Sequence, residues 1–349
     1  MKLWPSRTTS IKLRNWEYWP SKAFYYPVAP YLIWLMIKAR HMCYWSAANP
    51  GIYTGGMGME SKFDTLQLIP PPYRPTSAYL PPSCPESTVR AKLKEANLRF
   101  PLIVKPNLGF RGLLVNKADN LEALMQKLSE HDIPFIAQEY IDWPEEVGVL
   151  YHRLPGAAGG RITSVTTKAF LHVTGNGKDN VAALIEQHPR ALLQRDRLRS
   201  LYPGLMTEVP GAGERIRLGI VGNHAKGTRF INSNHLADKR MTAVFDHISR
   251  QIKGFYYGRF DLKCQSLDSL YTGQGLRILE VNGVCSEPTH IYDPQRGTYW
   301  TALRDIARHW SIIYRIAQAN RQRGVPVLSH RKTAHAFLDL FAYQRKVGS

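Results

Sequence analysis

Cysteine is scarce in this chain: Cys43, Cys84, Cys264 and Cys285 are the only four in 349 residues, and no two form a C-x-x-C pair. That spacing suggests neither a disulfide framework nor a zinc ribbon, and a reducing compartment is the simpler reading. Long apolar runs are lacking too. The longest candidate, AFYYPVAPYLIWLMI from Ala23 to Ile37, has 15 uncharged residues and contains Pro27 and Pro30, whereas a spanning helix needs about 20. Negative charge is in short supply, with 27 Asp and Glu against 46 Lys and Arg and a formal net charge of +19. Such a balance favours anionic partners: nucleotides, nucleic acid or acidic lipid. The sequence also has no internal repeat, no low-complexity tract, no P-loop or dinucleotide fingerprint, and no Ser/His or Cys/His arrangement suited to a nucleophilic site. It carries no aromatic-basic signature of a nucleic-acid module, so nucleic acid is not the expected partner.

What is present begins with aromatic residues. The Ala23 to Ile37 run is flanked by Lys22, Lys38 and Arg40, with several tryptophans upstream. This composition suits a segment lying in a membrane interface, and equally a helix packed on the rest of the protein. Both readings stay open at this point. No clean signal peptide precedes the run, because Arg14, Glu17 and prolines intervene.

Two turn-rich stretches follow, AANPGIYTGGMGMESK and IPPPYRPTSAYLPPSCP, read as connectors around a short helix at Lys62 to Leu68. The pattern then alternates. Helices are predicted at Ser87 to Leu98 and at Leu121 to Ser129, the latter capped by Asp119 or Asn120, and strands at Leu102 to Lys105 and Phe135 to Tyr140. Farther on, EVGVLYHR and RITSVTTKAF read as paired strands, Val181 to Arg199 as a helix, and RIRLGIVG and TRFINS as a second strand pair. A helix at Met241 to Lys253, strands in FYYGRFDLKC and RILEVNG, and a long helix from Thr298 to Arg321 complete the pattern.

RILEVNG raises a chemical question. Side chains alternate along a strand, so Glu280 and Asn282 share one face while Leu279 and Val281 share the other. A buried carboxylate without a partner costs several kcal/mol, so that face needs water, a donor or a cation. Asp261 in GRFDLK supplies another oxygen near a strand end, and magnesium prefers one or two carboxylates with waters and phosphate oxygens. Ion pairing with Arg259 or Arg277 is the alternative. Lys105, in FPLIVKPNLGFRG, ends an apolar strand before a turn containing Gly109 and Gly112, where freed backbone amides can hold phosphate oxygens. FIAQEYID can offer its backbone to an adenine edge, with a carboxylate nearby for ribose hydroxyls.

In this order FPLIVKP, GRFD and EVNG resemble the ATP-grasp family, in particular its carboxylate-amine ligases of the D-alanine:D-alanine ligase type, over roughly residues 60 to 320. The resemblance implies an α+β ATP-grasp fold in which two α+β subdomains enclose ATP. The expected organisation is an aromatic N-terminal segment over 1–59, an ATP-grasp domain over 60–325 and a C-terminal tail over 326–349. It implies Lys62, Lys105 and Lys168 as phosphate-binding lysines, with Gly109 and Gly112 in the flexible loop. Gln138, Glu139, Tyr140 and Ile141 would form the adenine hinge, with Glu146 as the ribose carboxylate. Asp261, Glu280 and Asn282 would be magnesium ligands, and Arg259 and Lys168 would act on the transferred phosphoryl group.

The implied reaction is ATP-dependent joining of a carboxylate to an amine through an acyl phosphate, with ATP and Mg2+. The rivals are an ATP-grasp phosphotransferase and a basic nucleic-acid-binding protein. Two departures bear on the substrate. The N-terminal segment is short and aromatic where these ligases usually carry a full α/β domain, and CSEPTHIYDP follows the magnesium strand. Glu287 there would repel a substrate carboxylate, which makes D-alanine a poor fit. Glu287, His290 and Asp293 form a better seat for an ammonium group. The expected partners are a small or lipid-like carboxylate and an amine, the expected location the cytoplasm, and membrane attachment at its inner face follows if the aromatic run is interfacial.

Overall fold

Local chemistry sets many of the element boundaries. In this computed structural model, which describes residues 6–109, 112–219 and 222–347, the chain opens with α1 (Arg7–Arg14), α2 (Ser21–Ala39) and α3 (Lys62–Gln67). Strand β1 (Ser77–Leu80), α4 (Glu86–Glu95), β2 (Leu102–Pro106), β3 (Asn116–Ala118), α5 (Leu121–Ser129) and β4 (Phe135–Glu139) follow. Asn120 is the cap of α5, its side-chain oxygen accepting the Ala123 amide at 2.9 Å. Next come β5 (Glu145–His152), β6 (Arg161–Ala169), β7 (His172–Thr174), α6 (Val181–Gln187), α7 (Pro189–Leu192), α8 (Arg195–Leu201), β8 (Arg215–Arg217) and β9 (Arg229–Asn232). The chain closes with α9 (Lys239–Gln251), β10 (Tyr257–Cys264), α10 (Ser269–Thr272), β11 (Leu276–Asn282), α11 (Tyr299–Gln322) and α12 (His330–Lys346).

The strands form two main antiparallel sheets, ordered β1-β4-β2-β3 and β11-β10-β5-β6-β9, and a two-stranded ribbon of β7 and β8. The smaller sheet packs on α4 and α5 through Val89, Leu93, Leu102, Val104, Leu124 and Phe135. The larger sheet is covered on one face by α9, where Met241, Phe245 and Ile248 meet Val147, Val149, Phe260 and Leu262. On its other face Leu150 and Tyr257 meet Ile312, Ile313 and Ile316 of α11 and Leu35 of α2. Period-two alternation therefore decides what faces the site: Phe260 and Leu262 enter the α9 core, and Arg259 and Asp261 point away from it.

Three expectations are corrected here. The helix over Val181 to Arg199 is three short helices, because Pro189 cannot continue a helix and instead starts α7, with His188 Nδ1 accepting the Ala191 amide at 3.2 Å. RIRLGIVG and TRFINS do not pair with each other: β8 pairs with β7, and β9 joins the edge of the large sheet against β6. Leu279 does not share a face with Val281. The register runs Asp261 opposite Glu280 and then Leu262 opposite Ile278, so Leu279 is an extra residue in a β-bulge. Glu280 and Asn282 keep their common face, and Ile278 and Val281 both enter the core.

The aromatic run is helical throughout α2, with Pro27 and Pro30 inside it. Its inner stripe, Phe24, Val28, Leu35 and Ala39, is buried. Among the described residues no helix is long and apolar enough to cross a membrane. The stretch expected as a tail contains α12, which returns to the small sheet: the Tyr343 hydroxyl donates to the Leu108 carbonyl at 2.7 Å, and Val347 joins that core.

Candidate active site

Sheet register places the candidate residues on one surface. Asp261 lies opposite Glu280 on one side and Gly148 on the other, and Gly148 lies opposite Thr166. Glu146, two residues before Gly148, and Lys168, two after Thr166, therefore share the face of Asp261. A Cβ at Gly148 would sit 3.4 Å from both Asp261 Oδ1 and the Arg259 Cδ, so glycine leaves these side chains their room.

The result is a connected set of charges. Lys168 Nζ donates to Glu146 at 3.0 Å and to Asp261 at 3.1 Å. Arg259 bonds both Asp261 oxygens, the shortest contact being 2.9 Å, and the Asn282 amide donates to Asp261 at 2.9 Å. Lys62, at the start of α3, pairs with Glu280. Lys105 reaches from the small sheet to the Gln138 side chain and to the Leu279 carbonyl, both at 3.0 Å. The bulge at Leu279 thus turns a backbone acceptor toward the lysine of the opposite sheet.

These surroundings set the protonation states. Burial opposes charge on Asp261, but Arg259 and Lys168 overcome it and hold the carboxyl well below the usual range. Burial likewise opposes charge on Glu280, and Lys62 and Lys105 pull it down. Lys168 is raised because Asp261 and Glu146 outweigh burial. Lys105 has no carboxylate in contact, and burial lowers it to about 8. Glu60, behind Lys62, is raised by burial.

The hinge candidates cluster at the end of β4. Gln138 is buried and accepts from Lys105, Glu139 accepts the Thr76 amide at 3.1 Å, Ile141 is buried, and the Tyr140 ring faces Lys117 and Lys263. Gly109 lines a cleft with Glu60, Lys62, Glu280, Asn282 and Cys285. Gly109 and Gly112 both have the positive φ that favours glycine. Phe110 and Arg111 of that loop lie outside the described residues.

The CSEPTHIYDP loop is more heavily bonded than its sequence suggests. The Glu287 carboxylate accepts the hydroxyls of Tyr25 at 2.9 Å and Tyr292 at 2.7 Å, and its backbone carbonyl accepts from Arg259 at 3.2 Å. His290 uses one nitrogen on Ser164 and the other on Asp305. Asp293 accepts the backbone amides of Asn232 and Gln295. Arg296 turns to the Asn232 carbonyl and His235.

Several contributors were not singled out from sequence. Fully buried Asn49 donates to the carbonyls of Gly55 and Tyr257 and accepts the amides of Tyr256 and Tyr257, fastening the glycine-rich loop to the start of β10. Gly56 packs directly on Gly283, where a Cβ on either would strike backbone. The amides of Val284 and Cys285 bond the carbonyls of Gly55 and Gly56. The stretch read as a connector is therefore a wall of the site, and its closely spaced glycines were the available signal. Gly222 leaves room for side chains instead, since a Cβ there would strike those of Glu146 and Lys168.

No family model matches the chain, and no curated protein does. Among solved structures it is similar to the D-alanine--D-alanine ligase from Bacillus anthracis, at 13% identity over 78% of this chain and 72% of that one, with a TM-score of 0.42. The VanG D-Ala:D-Ser ligase from Enterococcus faecalis is 14% identical over 76% of this chain and 64% of its own, with a TM-score of 0.41. A bifunctional glutathione synthetase from Pasteurella multocida is 16% identical over 67% of this chain, with a TM-score of 0.37, and the match spans only 34% of its length. This chain is an α+β protein whose two antiparallel sheets meet at Lys62, Lys105, Asp261 and Glu280, and it is similar in structure to solved ligases.

Proposed function

We propose that this protein is an ATP-dependent carboxylate-amine ligase. The observation that carries the reading is the meeting of four cations, Lys62, Lys105, Lys168 and Arg259, with the register-opposed Asp261 and Glu280 where the two sheets touch. In the proposed reaction a substrate carboxylate oxygen attacks the γ-phosphorus of ATP, ADP leaves, and an acyl phosphate forms. An amine then attacks the acyl carbon, the C–O bond to phosphate breaks, and inorganic phosphate departs, carrying the proton that the amine nitrogen gives up. Lys105 and Lys168 hold phosphate oxygens, Arg259 steadies the transferred phosphoryl group, the Gln138 to Ile141 segment receives adenine, and Glu146 receives ribose. This is catalysis by positioning and electrostatics, with no nucleophilic side chain.

The donor set fits a hard cation: two carboxylates on neighbouring strands and the Asn282 side-chain oxygen, which its amide's bond to Asp261 leaves available. Asp261, Glu280 and Asn282 would hold Mg2+, which when bound neutralises charge on the β- and γ-phosphates. Glu287, fixed by two phenols next to Arg259, is the proposed seat of the amine, and His290 fixes the loop that presents it.

The test is turnover by the purified protein against pooled carboxylates and amines. Release of ADP and free phosphate together, dependent on both an acid and an amine, supports the ligase. ADP formed with a phosphorylated alcohol, and no amine dependence, would establish the phosphotransferase instead.

The finer placement concerns α2. Its outer stripe exposes Tyr26, Ile33, Trp34 and Ile37 beside the exposed Lys22, Lys38 and Arg40. Apolar and cationic groups on one face complement an anionic bilayer surface, and we assign this face to peripheral contact with the inner side of such a membrane.

A further inference from the structure

Away from the cleft, at the end of α2, three metal-ligating side chains meet. Arg40 ends that helix in the left-handed conformation, and the chain then places His41 and Cys43 beside His330, the first residue of α12. One nitrogen of each imidazole and the Cys43 sulfur all lie within 4.8 Å of one another. The two rings are stacked, with centroids 4.6 Å apart. His330 Nδ1 is 3.8 Å from Cys43 Sγ, and His41 Nδ1 accepts the Cys43 amide at 3.1 Å. The Nδ1 atom of each ring thus faces the same residue.

We propose that His41, Cys43 and His330 form a binding site for a single borderline divalent transition-metal ion of the zinc type. One thiolate and two imidazoles are the donor set that zinc favours, and water would complete a tetrahedron. With bond lengths of about 2.0–2.3 Å, the ligand atoms of such a site stand roughly 3.3–3.8 Å apart. The Cys43–His330 contact already has that spacing, and side-chain rotation of His41, at the cost of its bond to the Cys43 amide, brings in the third. The surroundings hold the frame: the Ser46 hydroxyl donates to the Cys43 carbonyl at 2.8 Å and accepts the Leu328 amide at 2.9 Å. Cys43 is buried while His330 is exposed, which leaves an entry path from solvent.

The consequence is mechanical. The far end of α12 bonds the Leu108 carbonyl just before the glycine loop, so an ion at its near end would clasp the helix that ties the N-terminal segment to the ATP-facing small sheet.

The test uses the full chain and Co2+, whose tetrahedral thiolate complexes absorb in the near ultraviolet and visible. The expected result, with excess Mg2+ present to occupy the carboxylate site, is one Co2+ per chain with a thiolate charge-transfer band, displaced by one equivalent of Zn2+. C43S should lose the band, H330Q should bind at least tenfold more weakly, and C285S should keep it. His330 is exposed, so H330Q reports even if the buried C43S variant fails to fold. Absence of the band in the wild type, or wild-type affinity for Co2+ in H330Q, overturns the site.

Discussion

Lys105 and Lys168 are both lysines with buried side chains on the site, yet their surroundings push them in opposite directions. Lys168 touches two carboxylates and is raised, while Lys105 touches an amide and a carbonyl and is lowered to about 8. The linkage follows from the sign: between about pH 8 and its ordinary 10.5, folded Lys105 binds fewer protons than unfolded Lys105, so its contribution to stability improves as pH rises through that window. Its proposed service to phosphate runs the other way. If Lys105 holds phosphate, ATP affinity should fall above about pH 8, by up to about tenfold per unit for a single ionisation, and Lys105→Arg should remove that inflection. Equilibrium ATP binding from pH 7 to 10 checks this, and identical profiles for wild type and variant would remove Lys105 from the phosphate site. Glu280→Gln should lower turnover by about 10²-fold, the scale of losing one electrostatic contact in a transition state, while ATP affinity changes only a few-fold. Parallel titrations of turnover and of ATP binding with magnesium separate the two effects, and equal losses in both would mean that Glu280 only anchors Lys62.

At the scale of single elements, β11 and α2 carry the most consequence. The bulge at Leu279 lets one strand keep Ile278 and Val281 in the core while Glu280 and Asn282 face the cleft, and it presents a carbonyl to Lys105. A regular strand could not do all three, since alternation would turn either Ile278 or Glu280 to the wrong side. Helix α2 is apolar on both faces, and only its inner one meets α11. The triple variant Ile33→Ser, Trp34→Ser, Ile37→Ser should bind anionic vesicles at least tenfold more weakly while melting within a few degrees of the wild type, because these residues are exposed. Wild-type binding should weaken as salt shortens the Debye length from about 10 Å at 0.1 M. Sedimentation with vesicles measures both, and equal binding by the triple variant would reject α2 as the contact.

Over the whole molecule, the N-terminal segment and α12 bind the two sheets together. Tyr25 from α2 reaches Glu287 beside Arg259, Asn49 anchors the glycine-rich wall to β10, and Tyr343 holds the strand end that carries Lys105. Tyr343→Phe removes one hydrogen bond and should cost about 1 kcal/mol, roughly 2 °C in melting temperature. Removing 326–349 should cost more, because Thr333, Ala336 and Val347 are buried. Thermal melts of both proteins give the comparison, and a truncated chain that melts like the full one would show that α12 contributes nothing to holding the small sheet.

The sequence by itself determined what depends on neighbours along the chain. Alternation placed Glu280 with Asn282, the apolar run of Leu102 to Val104 gave the strand that ends at Lys105, and Asn120 was available as a cap before Leu121. The three short strands β1, β3 and β7 carried too little pattern to be read, and the break at Pro189 was passed over because the flanking residues favour helix. Tertiary structure decided the rest. Whether Asp261 meets Arg259, Lys168 and Asn282 at once depends on four strands, β11, β10, β5 and β6, lying in register. Whether TGGMG is a connector or a wall depends on Gly56 touching Gly283, more than two hundred residues away. The fate of Glu287 turned on Tyr25, which no local pattern links to it. Contacts of that kind follow from which faces must be covered once the sheets exist, and covering the large sheet with α2 and α11 is what brought the N-terminal segment to the site.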